Sequence, residues 1–321
     1  MPEGQGLAEE VIAPGEAEVN KAFIAFLQAS SRRRQPTGPV RRFNQGRAAG
    51  CVQAEFVVPE GLPDALRVGL FAQPGSYRAV IRFANASSAT DREKDIRGMS
   101  ISVADVGGDN LTPGVTSQDF VLNSYPVMMS PDTKEFMALL EANEAGGLRR
   151  ILYFATHLTA ARIARAARQQ PSCHLDIPYW SATPFLFGPG RAVKYVARPA
   201  SDRTSPTPPS FTDTYLDEAL RSRLDAGDAR FEFMVQFQTD PTSMPIEDAT
   251  VEWQEADSPY VAVASIRIPR QAVAQPGAGA CEDIAFNPWH CLAAHRPLGS
   301  MNRARRAIYP ALSDFRRRSR A

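Results

Sequence analysis

Apolar and polar residues alternate in short runs through the first third of the chain and again towards its end, as they do in β-strands. Gly, Pro and Asp residues separate these runs, which is typical of turns. The pattern predicts strands over residues 51–58, 77–84, 98–104, 119–123, 193–196, 230–237 and 260–268.

Apolar residues at helical spacing lie between and after these strands. Val19, Phe23, Phe26 and Leu27, for example, fall on one face of a helix. The spacing predicts helices over residues 16–30, 131–143, 148–168, 215–224 and 302–317. We expect residues 1–15 to form a flexible tail and residues 205–209 and 275–280 to be loops.

Strands and helices are segregated along the chain, with neither a regular strand–helix alternation nor an internal repeat. Such segregation is typical of an α+β fold in which helices surround an antiparallel sheet or β-barrel. No composition shift marks a boundary, so we predict a single domain over residues 16–321.

Composition narrows the functional classes. The 321 residues are 44% hydrophobic with a net charge of +1, which indicates a globular protein without a field that attracts nucleic acid. No apolar run is long enough to span a membrane, and no signal-peptide pattern is present, so we expect a cytoplasmic protein. In that compartment we expect buried thiols at Cys51, Cys173, Cys281 and Cys291.

Four ordered groups of segments carry a family resemblance. They are residues 42–45 (RFNQ) with 50–56 (GCVQAEF); 69–71 (GLF), 74–77 (PGSY), 81–84 (IRFA) and 95–99 (DIRGM); 118–126 (QDFVLNSYP); and 286–290 (FNPWH), 297–299 (PLG) and 302–309 (NRARRAIY). Together they resemble the catalase superfamily, in particular its shorter catalase-related branch. The resemblance implies an antiparallel β-barrel core with flanking helices and a buried haem b.

The resemblance implies that Tyr309 is the axial ligand of the haem iron. Arg305 lies four residues earlier, hence on the same helix face, where its guanidinium favours the phenolate form of Tyr309. The alternative is a packed aromatic ring beside a surface charge. The resemblance also assigns Arg42 and Arg82 to the haem propionates, whereas the alternative for Arg82 is a salt bridge to Asp95.

The distal side departs from the family pattern. Gln45 occupies the position of the family's distal histidine, and no histidine occurs in the first 156 residues. Glutamine can donate and accept hydrogen bonds but cannot transfer a proton. General acid–base catalysis typically raises a reaction rate by about 10²–10⁴-fold. We therefore expect weak dismutation of hydrogen peroxide. The family's distal asparagine falls on Ser124, with Asn123 one residue away.

Met128 and Met129 stand where the family has paired phenylalanines. These flexible apolar side chains either make room for an organic ligand or simply fill the core.

Three functions remain open from sequence. The first is a catalase- or peroxidase-like oxidoreductase that uses haem and acts on a peroxide or organic hydroperoxide. The second is a non-catalytic protein that binds or senses haem, and the third is a barrel that binds an apolar ligand without haem. We expect no nucleic-acid partner and no membrane span; a homo-oligomer is possible, since full-length catalases are tetramers.

Overall fold

The computed structural model describes residues 6–200, 204–274, 281 and 283–320. Residues 1–5 of the expected tail and the expected loop at 275–280 lie outside these ranges. The helices and strands, in chain order, are α1 (Glu16–Arg34), β1 (Arg47–Val58), β2 (Gly75–Asn85), β3 (Arg97–Val103), β4 (Gln118–Asn123), α2 (Thr133–Ala145), α3 (Gly147–Thr156), α4 (Leu158–Ala167), β5 (Tyr179–Trp180), β6 (Phe185–Leu186), β7 (Ala192–Pro199), α5 (Tyr215–Ala226), β8 (Ala229–Phe237), β9 (Val261–Ile268) and α6 (Ser300–Arg318).

Eight of these strands form a closed barrel in the order β5-β4-β3-β2-β1-β9-β8-β7, because β7 also pairs with β5. Every pairing is antiparallel, and the short β6 adds to β7. Closure leaves the barrel strands without a free edge. The predicted α+β fold with an antiparallel barrel is confirmed.

The barrel interior is packed with aromatic rings. The rings of Phe120 and Phe233 have centroids 4.7 Å apart, and Phe56 lies against both of them. Side chains alternate along each strand, so Ile81 and Phe83 of β2 point into this core and the residues between them point outward. The outward positions of β1–β4 are therefore available to the helices packed outside the barrel.

The prediction of a single helix over residues 148–168 is wrong, because this segment forms two helices, α3 and α4, that are separated by His157. The imidazole stacks on the Tyr153 ring at 4.0 Å, and its Nδ1 lies 2.8 Å from the Tyr153 carbonyl oxygen. Its Nε2 is 3.3 Å from the Glu135 carboxylate on α2. These contacts hold His157 outside helical geometry. Strands β5 and β6 were not predicted, because each is only two residues long and so shows no alternating pattern.

The expectation of thiols at all four cysteines is also wrong. Cys51 on β1 and Cys281 form a disulfide, with their Cα atoms 5.9 Å apart. The two residues are 230 positions apart in sequence, and only the fold brings them together. Cys173 and Cys291 are buried free thiols, as expected.

Helix α6 is anchored through Arg303, whose guanidinium contacts three carboxylates. Glu10 and Glu16 lie 2.7 Å from it, and Glu247 lies 2.8 Å from it. Burial alone would raise the pKa of Glu10, but hydrogen bonds from the Gly299 amide and from Arg296 and Arg303 outweigh it and lower that pKa. This cluster joins the chain before α1 to the start of α6.

Replacing Arg303 with Met should destabilise the fold, because three half-buried carboxylates lose their shared cation. We expect a loss of about 3–5 kcal/mol in the free energy of unfolding at neutral pH. The matched control Arg317→Met removes an exposed arginine from the same helix and should cost less than about 1 kcal/mol. Urea denaturation of the three proteins measures both values; equal losses would contradict the anchoring role.

Lowering the pH should narrow the difference in the free energy of unfolding between the parent and Arg303→Met. The folded-state pKa of Glu10 lies below its ordinary value of 4.5, so its stabilisation is present above that pH. The stabilisation is lost as the pH falls through the lowered pKa, as denaturation at successive pH values should record.

Candidate functional site

Four side chains form a row across the outer face of the barrel. The strand register places Cys51 of β1 opposite Arg82 of β2, Arg82 opposite Ser100 of β3, and Ser100 opposite Val121 of β4. Directly opposed residues lie on the same face of an antiparallel sheet. The row therefore forms a continuous wall that faces the helices outside the barrel.

A cavity of about 1290 Å³ lies over this wall. It is lined by Arg82 and Val121 from the barrel, by Phe23 of α1 and Phe136 of α2, and by Tyr309 of α6. Pockets for drug-sized ligands usually measure about 300–1,000 Å³, so this cavity can take a larger group.

The cavity is strongly cationic. Among the described residues, eleven arginines but only two carboxylates, Asp95 and Asp314, contribute to its lining. Arg82 is only 1% exposed, and a buried charge requires polar or anionic partners. The carboxylate of Asp95, the alternative partner for Arg82, accepts hydrogen bonds from the amides of Ser87, Ser88 and Ile96. The described part of the lining thus carries an excess of positive charge.

Gln45 is held against the barrel wall in a defined orientation. Its backbone is left-handed, with φ 54°, and its amide donates to the carbonyl of Ala86 at 2.8 Å. Its Oε1 accepts a hydrogen bond from Ser100 Oγ at 3.2 Å. The side-chain amide also lies directly over Gly98, where a Cβ atom would collide with it. Glycine at position 98 therefore gives Gln45 its place in the cavity.

Asn123 and Ser124 are separated by the fold. Asn123 on β4 lines the cavity, whereas Ser124 is buried outside its lining. Ser124 accepts a hydrogen bond from the Arg97 amide through Oγ and donates its own amide to the Arg97 carbonyl, both at 2.8 Å. Of these two neighbouring residues, only Asn123 lines the cavity. Met128 lines the cavity as well.

Helix α6 supplies Arg305 and Tyr309, which both line the cavity one turn apart. Arg305 Nη1 donates to Asn302 Oδ1 at 2.9 Å and to Thr183 Oγ1 at 3.2 Å, so the guanidinium is fixed by neutral acceptors. Tyr309 packs against the buried cluster formed by Val121, Cys281 and Phe286. The helix places a phenol in the cavity and a fixed positive charge near it.

Arg42 is held by the segment that contains the disulfide. Its Nη2 donates to the carbonyl oxygens of Ile284 at 2.9 Å and of Cys281 at 3.2 Å. Because Cys281 is bonded to Cys51 in the barrel wall, the disulfide fixes both acceptors relative to that wall. The disulfide therefore helps to position a cavity arginine.

The fold brings together seven of the eight residues that the sequence singled out, since Gln45, Asn123, Arg42, Arg82, Arg305, Tyr309 and Met128 line one cavity and Ser124 does not. Ser100 and Gly98, which hold Gln45, were missed. Strand alternation alone could have placed Ser100 on the outward face, but its pairing with Arg82 needed the register. Nothing in the sequence paired Cys51 with Cys281.

Comparison with solved structures identifies the architecture. A bacterial catalase superposes with a TM-score of 0.69 at 15% identity, covering 98% of this chain and 63% of that chain. A fungal catalase and catalase A from Saccharomyces cerevisiae each give a TM-score of 0.70 at 14% identity, again over 98% of this chain. The chain has the catalase fold.

This chain spans 63–68% of the length of those three catalases. No family model matches the sequence, and no curated protein matches it significantly. At such low identity, the likeness establishes the catalase fold alone.

A thiol count should test the disulfide. Protein purified and denatured without reductant should expose two reactive thiols, from Cys173 and Cys291, because the other two cysteines are bonded. Cys51→Ala should expose three, since it frees Cys281. Four thiols in the unreduced parent would contradict the pairing. Reduction should also lower the unfolding temperature, as loss of a disulfide commonly costs about 2–5 kcal/mol.

Proposed function

We propose that the cavity binds haem b and that the chain is a haem-dependent oxidoreductase acting on a peroxide or organic hydroperoxide. The observation that carries the proposal is the presence of Tyr309, Arg42 and Arg82 in one large cavity on a catalase fold. Composition and fold alone would not support it.

The chemistry of the lining residues fits this cofactor. Haem is a flat apolar macrocycle with two anionic propionates, and the cavity combines apolar walls with an excess of arginines. Arg42 and Arg82 are the assigned propionate partners in the proposal. The phenol of Tyr309 is an established type of haem ligand.

When bound, the haem would supply a redox-active iron. Tyr309 must be a phenolate to coordinate it, and the phenol of a free tyrosine has a pKa of about 10. Arg305, one turn away and fixed by Asn302 and Thr183, provides a positive charge on the same helix. In this role Arg305 is a positioning residue that acts through Tyr309.

Gln45 and Asn123 are the polar groups that we assign to substrate binding. Both side chains are amides that can orient a peroxide through hydrogen bonds, but neither can take up and return a proton. Dismutation of hydrogen peroxide should therefore be weak. The size of the cavity and the flexible Met128 and Met129 favour an organic hydroperoxide as substrate.

The second candidate is a haem-binding or haem-sensing protein without turnover. The hydrogen bond from Ser100 to Gln45 favours it, because this bond uses one of the two lone pairs with which the Gln45 oxygen could accept from a substrate. Haem binding with no measurable oxidation of any peroxide would select this function.

Tyr309→Phe should remove the axial oxygen while preserving the shape of the side chain. We expect loss of haem, or a grossly altered absorption spectrum of the ferric protein after reconstitution. Tyr125→Phe is the matched control, since Tyr125 also lines the cavity, and its spectrum should equal that of the parent. An unchanged spectrum in Tyr309→Phe would overturn the assignment.

Oxygen evolution from hydrogen peroxide, measured per bound haem, should be low in the parent because Gln45 cannot transfer protons. Gln45→His should raise it, within the roughly 10²–10⁴-fold range of acid–base catalysis. The control Gln53→His adds a histidine at an exposed position of β1 and should leave the rate of oxygen evolution unchanged. A vigorous parent rate would show that another group or water transfers the proton.

A further inference from the structure

Helices α3 and α4 expose large apolar side chains on their outward face. Leu148, Ile151 and Leu152 are 78%, 65% and 61% exposed, and Leu158 at the start of α4 is 73% exposed. The first three are spaced as i, i+3 and i+4, so they form one stripe on α3. Four exposed apolar residues within eleven positions form a patch and are not isolated surface residues.

The same segment carries only positive charge. Residues 147–168 contain five arginines and no aspartate or glutamate. Arg162 is exposed and follows Leu158 at i+4, on the same side of α4. On the adjacent α2, Glu135 is paired with His157 and Glu144 with Arg33. The apolar stripe is therefore bordered by basic side chains.

The side of α3 opposite the stripe lines the cavity, and α4 lines it with the side that carries Arg165. Arg150 and Phe154 of α3 and Ala161 and Ala164 of α4 contribute to its wall. Whatever covers the outward stripe consequently lies one helix thickness from the cavity.

We propose that this docking face, formed by Leu148, Arg149, Ile151, Leu152, Leu158 and Arg162, binds the surface of an anionic phospholipid bilayer. An apolar stripe flanked by arginines is the pattern of interfacial helices, which bury the stripe among acyl chains and place the cations at the headgroups. The charge of the face selects an anionic surface over a neutral one. No helix in the described part of the chain is long and apolar enough to cross a bilayer, so the mode is adsorption.

The inference goes beyond the proposed function and does not depend on haem. Docking would bring the α3–α4 wall of the cavity against the acyl-chain region, where apolar molecules dissolve. A hydroperoxide substrate, if the proposed function holds, would then reach the cavity from the lipid side.

Co-sedimentation of the full chain with vesicles tests the proposal. The protein should bind vesicles of phosphatidylcholine mixed with phosphatidylglycerol, bind phosphatidylcholine alone weakly, and release as salt rises. Leu148→Gln/Ile151→Gln/Leu152→Gln should lower the partition coefficient at least about tenfold. Arg149→Gln/Arg162→Gln should lower it roughly fivefold for each arginine removed.

The matched control is Arg230→Gln/Arg270→Gln, which removes two exposed arginines far in sequence from α3 and α4. It should keep the parent's partition coefficient, and thermal melts verify that all variants are folded. The proposal fails if the parent ignores anionic vesicles, or if the control loses as much binding as Arg149→Gln/Arg162→Gln. It also fails if light scattering shows a dimer that the triple variant dissolves while vesicles bind neither protein, because the face then joins two copies of the chain.

Discussion

The strand register of β1–β4 is the constraint on which the site depends. Along β2, Ile81 and Phe83 fill the barrel while Arg82 between them faces outward. A slip of one residue would put the guanidinium among aromatic rings and turn Phe83 out. The cost of burying an unsolvated cation in that core excludes the slipped pairing. The packing of the barrel therefore places Arg82 in the wall of the cavity.

Helix α6 couples stability to the site. Its first turns are anchored by the contacts of Arg303 with Glu10, Glu16 and Glu247, and its middle presents Arg305 and Tyr309 to the cavity. The anchor and the two cavity-lining residues therefore lie on the same helix. This arrangement suits a group that must be held at a fixed distance from the barrel wall.

The part of the cavity wall around Gln45 carries hydrogen-bonding groups. Gly98 makes room for the Gln45 amide, and Ser100 hydrogen-bonds to it. A histidine at position 45 would bring a proton carrier, but the present residue supplies hydrogen bonds only. The lining of the cavity also includes His290, whose Nδ1 lies 2.9 Å from the carboxylate of Asp119.

Much of this protein can be predicted from sequence. Alternation and helical spacing identified most strands and helices, and the ordered segments indicated the barrel and seven residues of its cavity. The strands and helices are local features, because each depends on the pattern within a few neighbouring positions. The barrel and the cavity residues were instead implied by the resemblance of ordered segments between residues 42 and 309 to the catalase superfamily.

Tertiary structure decided the features that depend on distant partners. His157 ends a helix because its ring contacts Tyr153 and Glu135, against the local helical pattern. Cys51 meets Cys281 across 230 positions, and Ser100 reaches Gln45 only once β3 has paired with β2. The spacing of residues along the chain does not predict these contacts, because they form only when distant segments are brought together in the folded barrel.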